Sequence, residues 1–260
     1  MYKETEISDE EQKEAMRHDN FYREKRRAWK FSSHDWEKFD LVEKPTHGYL
    51  YSIKCLGDIK DKNVLDLGCG TGWLSVILAK RGANVEALDI SAEAIHLAQN
   101  MAAINKVDDK IHFKAGSVYE LEYPSNSFDF VVGQAILHHL SNKDIVAQAV
   151  YRVLKPKGKA VFFETFGDSR LLQKIRLLIP ITIDGEIDDW EKKVKYSDID
   201  TFKKYFAVNC KEFHLLSRLD RIFSSQAITE FLGQVDFKLL KWFPFLRRYA
   251  RHIVVELSKK

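Results

Sequence analysis

The stretch VLDLGCGTGW, residues 64–73, decides how the rest of the chain is interpreted. Its first residues are apolar, which is typical of a buried parallel strand, and its three glycines permit backbone angles that a side chain would disfavour. The residues that follow, WLSVILAKRG, predict a helix that ends at Gly82. A strand, a glycine turn and a helix N-terminus together predict a cradle whose backbone amides face a nucleotide-like ligand.

The spacing of the glycines distinguishes among nucleotide cradles. A dinucleotide fingerprint requires a third glycine three residues after the second, where this chain has Trp73. The third glycine is instead Gly72, and the Lys-Ser or Lys-Thr pair of a P-loop is missing. A nicotinamide dehydrogenase therefore stays only as a disfavoured alternative.

The composition indicates a soluble globular chain. Its 260 residues are 45% hydrophobic and 30% charged, which suits one elaborated α/β domain. The acidic first residues do not resemble a signal peptide and no apolar run matches a membrane span, so we expect a cytoplasmic protein. Cys55, Cys69 and Cys210 lack paired spacing, so neither a disulfide nor a metal site is predicted. A net charge of +3 is too small to indicate nucleic acid as a partner.

Strands and helices alternate after the glycine turn. We predict strands over residues 84–90, 110–118 and 128–135 and a further strand that ends at residue 166. Ser91 and Ser141 are expected to cap the helices between them, with a Lys-Pro-Lys-Gly turn before the fifth strand. Five strands in this rhythm predict a parallel, doubly wound sheet. Two later strands are predicted at 211–217 and 250–257.

Two parts of the chain are predicted to lie outside this regular pattern. Residues 1–45 form an N-terminal helical segment, with a helix over 8–30 that Ser8 would cap. Residues 46–260 form the main domain, with a helix over 46–56, helical insertions at about 167–200 and 219–248, and a short helix capped at Ser197. The N-terminal helix either packs on the surface, which is favoured, or acts as a lid whose His18, Asp19 and Tyr22 face the ligand pocket.

Four runs carry a family resemblance: VLDLGCGTG, EALDIS, SNSFDFVVGQAILHHL and YRVLKPKGKAVFFE. In this order and spacing they resemble the class I S-adenosylmethionine (SAM) methyltransferases, within the group that includes ubiquinone, menaquinone and small-molecule methyltransferases. The resemblance covers residues 63–166 well. It implies a Rossmann-like, seven-stranded, mostly parallel sheet. It also implies SAM as cofactor, S-adenosylhomocysteine as product and a small-molecule acceptor such as a lipophilic quinone, a lipid or a secondary metabolite.

The resemblance also implies which residues hold the cofactor. Asp89 would bind the ribose, as its place at the end of the second strand independently suggests, and Ile90 would lie on the adenine face. Ser117 and Val118 would edge the adenine, although the family usually has an aspartate at Ser117, and a hydroxyl is the weaker acceptor. The remaining residues expected at the cofactor are Asp66, Gly68, Cys69, Gly70, Thr71, Gly72 and Gln134.

The candidate bases are His138 and His139, which follow the fourth strand. A base is needed only when the acceptor loses a proton, so the sequence leaves oxygen, nitrogen and carbon methylation open. A packing and capping role for the two histidines is the favoured alternative, and His18 and Tyr22 are reserve catalytic candidates. Two other functions stay open: SAM binding without catalysis, and methylation of a macromolecule. Against nucleic acid, GQAILHHL stands where base-amino methyltransferases have an Asn-Pro-Pro-Tyr type motif.

Residues 237–252, FKLLKWFPFLRRYARH, interleave aromatic and basic side chains. Such a segment can rest on an anionic membrane and admit a lipophilic acceptor. It can also form an amphipathic helical insertion whose aromatic side chains pack inward, which is the favoured interpretation. The oligomeric state is left open.

Overall fold

One seven-stranded sheet organises the protein. The computed structural model describes residues 9–25, 48–169, 193–216 and 226–260, and every structural statement below concerns these residues. The strands are β1 Asn63–Leu67, β2 Asn84–Asp89, β3 Ile111–Ala115, β4 Phe128–Gln134, β5 Leu154–Thr165, β6 Phe206–Phe213 and β7 His252–Lys259. Their order in the sheet is β3-β2-β1-β4-β5-β7-β6.

Helices connect most of these strands. They are α1 Asp9–Lys25, α2 Gly48–Leu56, α3 Trp73–Lys80, α4 Ala92–Ile104, α5 Lys143–Val153, α6 Tyr196–Asp200 and α7 Gln226–Trp242. Short 3-10 turns at Asp108–Lys110, Thr201–Lys204 and Pro244–Tyr249 complete the described elements. None of the described helices combines the length and the apolar character that crossing a membrane requires.

The pairing confirms the predicted mostly parallel, doubly wound sheet. The pairs β1 with β2, β1 with β4, β2 with β3 and β4 with β5 are parallel. Strand β7 is antiparallel to both β5 and β6. The strand order reverses between β1 and β4, so the carboxyl ends of these strands border the crevice where ligands of such sheets bind.

Apolar side chains fill both faces of the sheet, as strands covered by helices on two sides require. On one face Leu65 and Phe162 pack with the buried side chains of α5 and α6. On the other face Val64 and Val132 pack with those of α2, α3 and α4. Alternate residues of β1 therefore belong to two different cores, and the strand is fixed in register from both sides.

Several predicted element ends were wrong by a few residues. The cap of α5 is Asn142, whose side chain accepts a hydrogen bond from the Ile145 amide, and not Ser141. The cap of α6 is Lys195, and Ser197 lies inside the helix. Strand β3 ends at Ala115 rather than at residue 118, and β6 begins at Phe206 rather than at residue 211. The Lys-Pro-Lys-Gly run belongs to β5, at an irregularity in its pairing with β4.

Some predictions fall outside the described residues. The cap at Ser8, the last part of the predicted helix over 8–30 and the loop before residue 48 belong to this group. Most of the insertion at 167–200 and the first part of the insertion at 219–248 do so as well. Within the described part, the second insertion contains α7 and the turn Pro244–Tyr249.

Candidate functional site

The glycine turn between β1 and α3 has the left-handed backbone that its sequence predicts. The φ angles of Gly68, Gly70 and Gly72 are 66°, 52° and 77°, values that residues with a Cβ rarely adopt. The amides of Gly68 and Cys69 donate to the carbonyl of Leu88, at 2.8 and 3.0 Å, and so tie the turn to the end of β2. The amides of the following residues of the turn are thereby held at the crevice between β1 and β4.

Neighbouring elements approach two of these glycines too closely for any side chain. A Cβ on Gly68 would lie 2.7 Å from Cδ1 of Ile136, which follows β4. A Cβ on Gly72 would lie 2.7 Å from the Cβ of Ala98 in α4. Three elements therefore meet at the turn. At Gly68 the neighbour is the end of a flexible side chain, whereas the contact with Ala98 makes glycine necessary at position 72 for packing as well as for backbone conformation.

Asp66 lies beneath the turn rather than at its surface. Its side chain is buried, and Ser75 in α3 donates a 2.5 Å hydrogen bond to Oδ2. Burial raises the pKa of this carboxyl to about 7, against the effect of the hydrogen bond from Ser75. Asp66 thus joins β1 to α3 and stabilises the turn from below, while Thr71 is buried within the turn itself.

Asp89 lies at the carboxyl end of β2, as predicted. Its Oδ2 accepts from the amide of Gly70 at 2.8 Å, and its Oδ1 accepts from the amide of Ser91 at 2.9 Å. Burial raises the pKa of Asp89, and the two amide hydrogen bonds oppose this effect. Each carboxylate oxygen keeps a second acceptor position. Ile90, the next residue, is half-buried.

Ser117 and Val118 follow β3 in a loop. The hydroxyl oxygen of Ser117 accepts from the amide of Tyr119 at 3.1 Å, and its O–H donates to the Glu11 carboxylate in α1. Val118 is buried in the core. Ser117, which is expected to lie at the edge of the adenine, therefore contacts α1, although 106 residues separate it from Glu11 in the sequence.

A buried His–Glu pair lies beyond β4. Gln134 is the last residue of β4, and His138 follows four residues later. Nδ1 of His138 lies 2.9 Å from Oε2 of Glu164 near the end of β5, and the two side chains are 1% and 0% exposed. Oε1 of Glu164 accepts from the amides of Ile136 and Leu137, both at 2.8 Å. One carboxylate therefore fixes both the loop after β4 and the orientation of the imidazole.

His139 faces α1 instead of the core. Its Nδ1 lies 3.0 Å from Oε1 of Glu14, and its ring is 5.2 Å from the ring of His18. Burial, together with the neighbouring His138 and His18, lowers the pKa of His139 to about 4. The two consecutive histidines thus have different surroundings, and at neutral pH His139 is uncharged.

Helix α1 covers the crevice. Oδ1 of Asp19 accepts from the Ser91 hydroxyl at 2.5 Å and from the amide of Glu93 at 3.3 Å. The hydroxyl of Tyr22 lies 3.0 Å from the position that a Cβ on Gly70 would occupy. Burial, with the nearby Asp89, raises the pKa of Tyr22 well above its usual value. The three residues expected to face the pocket are therefore brought to the glycine turn, the end of β2 and the loop after β4.

The aromatic side chains of residues 237–252 do not pack inward as expected. Trp242 and Phe245 are 67% and 68% exposed, and Phe237 and Phe243 are also exposed. Among the apolar residues of α7 near this end, Leu240 is buried. The expectation was wrong for these four side chains, because Phe237 and Trp242 lie on the exposed side of α7, and Phe243 and Phe245 follow its last residue.

Sequence reasoning missed the acidic residues that organise the site. Glu164 could have been found as a carboxylate inside the apolar run AVFFETF, because a charge buried in a strand needs partners. Glu11 and Glu14 carried no such signal, since they lie on a charge-rich helix and their partners in the main domain, Ser117 and His139, follow more than a hundred residues later.

Comparisons with known proteins agree with this geometry. A family described as "Methyltransferase domain" matches residues 64–158. A demethylmenaquinone methyltransferase of Lactobacillus johnsonii is 31% identical over 178 residues, which are 67% of each chain. A mitochondrial ubiquinone biosynthesis O-methyltransferase of Mus musculus is 34% identical over 137 residues, which are 50% of this chain and 37% of the mouse protein.

A solved structure, the PH0226 protein of Pyrococcus horikoshii, shares the fold. It has a TM-score of 0.60 at 20% identity and covers 93% of this chain and 99% of its own. The chain spans between about one third and two thirds of the length of the curated relatives named above. Both matched curated proteins transfer methyl groups by name, and the match to the first extends well beyond the glycine turn.

Proposed function

Because the chain belongs to the class I SAM-dependent methyltransferase family, we propose that it methylates a small lipophilic acceptor that loses a proton in the reaction, such as a hydroxylated quinone or a related phenol. SAM is the cofactor of the family and of this chain. The observation that carries the proposal is the buried His138–Glu164 pair, which supplies a positioned base. The names of the two curated relatives support a quinone-like acceptor.

The residues around the glycine turn fit SAM. The left-handed glycines leave backbone amides at the crevice, and Asp89 keeps acceptor positions for a ribose diol. We propose that Gly68, Gly70 and Gly72 with Cys69, Thr71 and Gln134 surround the methionine part, and that Ile90, Ser117 and Val118 border the adenine. Asp66 acts by holding the turn, since its carboxyl bonds to Ser75.

The base acts through one imidazole nitrogen. When bound, SAM would supply an electrophilic methyl group, which the acceptor atom would take in line as the methyl–sulfur bond breaks and S-adenosylhomocysteine leaves. With Nδ1 of His138 donating to Glu164, Nε2 is the nitrogen that takes the acceptor's proton. His139 is not proposed as the base, because a pKa of about 4 leaves it little affinity for a proton at neutral pH. His18 and Tyr22 then act in positioning α1 rather than in proton transfer.

Helix α1, within the proposed segment 1–45, serves as the lid of the crevice in this proposal. Its contacts to Ser91, to Ser117 and to His139 come from three different loops at the carboxyl edge of the sheet. A helix held at these points excludes water from the reacting atoms and must move for SAM and product to exchange. The main domain is then residues 46–260.

We also propose that residues 237–252 contact an anionic membrane surface from which a lipophilic acceptor enters. Exposed Trp242 and Phe245 lie close in sequence to the exposed basic residues Lys238, Lys241 and Arg248. Aromatic rings enter the headgroup region of a bilayer while Lys and Arg bind anionic lipid. The basic residues thus complement the charge of anionic lipid, which favours a lipid surface as the partner of this segment.

The experiment that tests the function is a search for methylated products. The purified chain is incubated with methyl-labelled SAM and a panel of hydroxylated quinones, phenols, amines and lipids, and products are detected by mass spectrometry. We expect labelled methyl on a hydroxyl or an activated ring carbon, lost in His138→Ala and retained in His112→Ala, an exposed histidine outside the site.

Two other results would contradict the proposal. Methylation of amines alone would show that no base is required. Binding of S-adenosylhomocysteine by calorimetry, with no methylation of any member of the panel or of RNA and protein from a cell extract, would favour a SAM-binding protein without catalysis.

A further inference from the structure

A second cluster of functional side chains lies between α1 and the loop after β4. Glu14 and His18 are one helical turn apart in α1, and His139 comes from the loop. Oε1 of Glu14 lies 3.1 Å from Nε2 of His18 and 3.0 Å from Nδ1 of His139. We propose that these three side chains bind a divalent transition metal ion of the Zn²⁺ class.

The donor atoms are close enough to share one ion. All three lie within 4.8 Å of one another. Two ligands of a tetrahedral zinc ion, each at about 2.1 Å from the metal, are about 3.4 Å apart. The two oxygen–nitrogen distances, 3.1 and 3.0 Å, thus need to lengthen by a few tenths of an ångström when the ion binds.

The chemistry of the donors suits the same class of ion. Two imidazoles and one carboxylate are a common ligand set of catalytic zinc and of other divalent transition metals, whereas Ca²⁺ and Mg²⁺ prefer oxygen ligands.

The cluster is also accessible to an ion from solvent. The side chains of Glu14, His18 and His139 are 30%, 27% and 22% exposed. This leaves room for a water molecule or another ligand in a fourth position, as in zinc sites with three protein ligands. The spacing of Glu14 and His18 at i and i+4 places both donors on one face of α1, the spacing that helical metal-binding motifs use.

A bound ion would link α1 to the loop that carries His138. The rings of His138 and His139 are 4.1 Å apart, so the metal site would be adjacent to the proposed base without using it. Because two ligands come from α1 and one from the main domain, binding energy would appear as stabilisation of the helix on the crevice. The metal site stands independently of the proposed methyl transfer, because its ligands and its test require no acceptor.

The test measures binding of Zn²⁺ alone to the tag-free, chelator-treated full chain by titration calorimetry, with hydrogen exchange of α1 as a second readout. We expect one ion per chain and slower exchange of the α1 amides when Zn²⁺ is bound. His18→Ala and His139→Ala should each weaken binding at least about 10- to 100-fold, the loss that even outer-shell substitutions typically produce. Glu14→Gln, which preserves the shape of the side chain, should do the same.

His112→Ala is the matched control, because His112 also contacts a glutamate but lies on the exposed surface of β3. Its affinity for Zn²⁺ should equal that of the unmodified chain. Co²⁺ serves as a spectroscopic probe: a visible band typical of tetrahedral nitrogen and oxygen ligands is expected, without the charge-transfer absorption of a thiolate.

Three results would overturn the proposal. The first is the absence of saturable binding, which would leave a carboxylate hydrogen-bonded to two imidazoles only. The second is unchanged affinity in His139→Ala, with circular dichroism showing a folded chain. The third is a thiolate signature with Co²⁺, which would assign the ion to one of the cysteines.

Discussion

Oε2 of Glu164 lies 2.9 Å from Nδ1 of His138, while Oε1 of the same carboxylate accepts hydrogen bonds from the consecutive backbone amides of Ile136 and Leu137. Loop conformation and imidazole orientation therefore depend on one carboxylate. Glu164→Gln should lower kcat by about 10²- to 10⁴-fold, the usual contribution of a positioned base. The reason is that a glutamine amide can donate to Nδ1 and move the imidazole proton to Nε2.

The matched control is Glu86→Gln, in the exposed pair that Glu86 forms with His112 at 2.8 Å. Turnover and S-adenosylhomocysteine affinity are measured together. We expect the affinity to change little in either variant, and full turnover in Glu164→Gln would contradict the assignment.

Substitution of Gly72 and of Gly57 by alanine distinguishes the cost of backbone strain from the cost of steric overlap. Both have a left-handed φ, 77° and 69°, but a Cβ on Gly72 meets Ala98 at 2.7 Å, whereas a Cβ on Gly57 has no atom within 4 Å. Gly57→Ala should lower the free energy of unfolding by about 1–2 kcal/mol through strain alone. Gly72→Ala should lose about 1–3 kcal/mol more through overpacking. Urea unfolding measures both, and equal losses would mean that α4 moves aside.

Ser91 is expected to couple α1 to the main domain. Its hydroxyl oxygen accepts from the amide of Ala94 as the cap of α4, while its O–H donates to Asp19. Ser91→Ala should cost about 1 kcal/mol as a lost cap. A double-mutant cycle with Asp19→Ala should give a further coupling of about 0.5–3 kcal/mol. Strictly additive free energies of unfolding would show that α1 does not rest on Ser91 in solution.

The pKa of His139 predicts a pH dependence of stability in metal-free protein. Its folded pKa of about 4 lies below the usual 6.5, so the unfolded chain binds the proton more tightly. The free energy of unfolding should therefore fall as the pH decreases from about 6.5 to about 4 and level off below. His139→Gln should remove this part of the slope. The check is urea unfolding at a series of pH values, and identical slopes in the two proteins would be the contrary result.

Membrane contact is expected to depend on the exposed aromatic side chains at the end of α7 and directly after it. Trp242→Ser together with Phe245→Ser should abolish flotation with anionic liposomes, because these two side chains are the most exposed of the large apolar side chains of residues 237–252. Met16→Ser, at an equally exposed position of α1 (68%), is the control and should float normally. Flotation with neutral liposomes should be weaker, because these liposomes lack the anionic headgroups that attract the basic residues. Failure of the unmodified chain to float would refute the contact.

The sequence was most informative where neighbouring residues alone determine the local conformation. The glycine turn, the cap at Ser91 and the acidic end of β2 are each set by neighbours in sequence, and each prediction of their conformation was confirmed. Asn142 was missed as the cap of α5 because Ser141 beside it is an equally good candidate by residue type.

The parts that could not be predicted depend on where distant segments meet. Nothing near His139 in the sequence indicates that Glu14 lies against it, and the cysteine spacing, from which no metal site was predicted, carries no information about this cluster. The exposure of Phe237, Trp242, Phe243 and Phe245 was not predicted for a related reason. Aromatic and basic residues can alternate in the same way in a helix that packs on the core and in a segment that is exposed.

The position of β7 has a consequence for how the protein is made. Because β7 lies between β5 and β6, β6 has no partner in the sheet until β7 has been synthesised. On the ribosome, β1 to β5 can assemble first, while β6 waits as an unpaired edge with its backbone donors and acceptors unfilled. Completion of the sheet therefore waits for the synthesis of β7, and chaperones that bind exposed strands would be expected to act on the chain between these two stages.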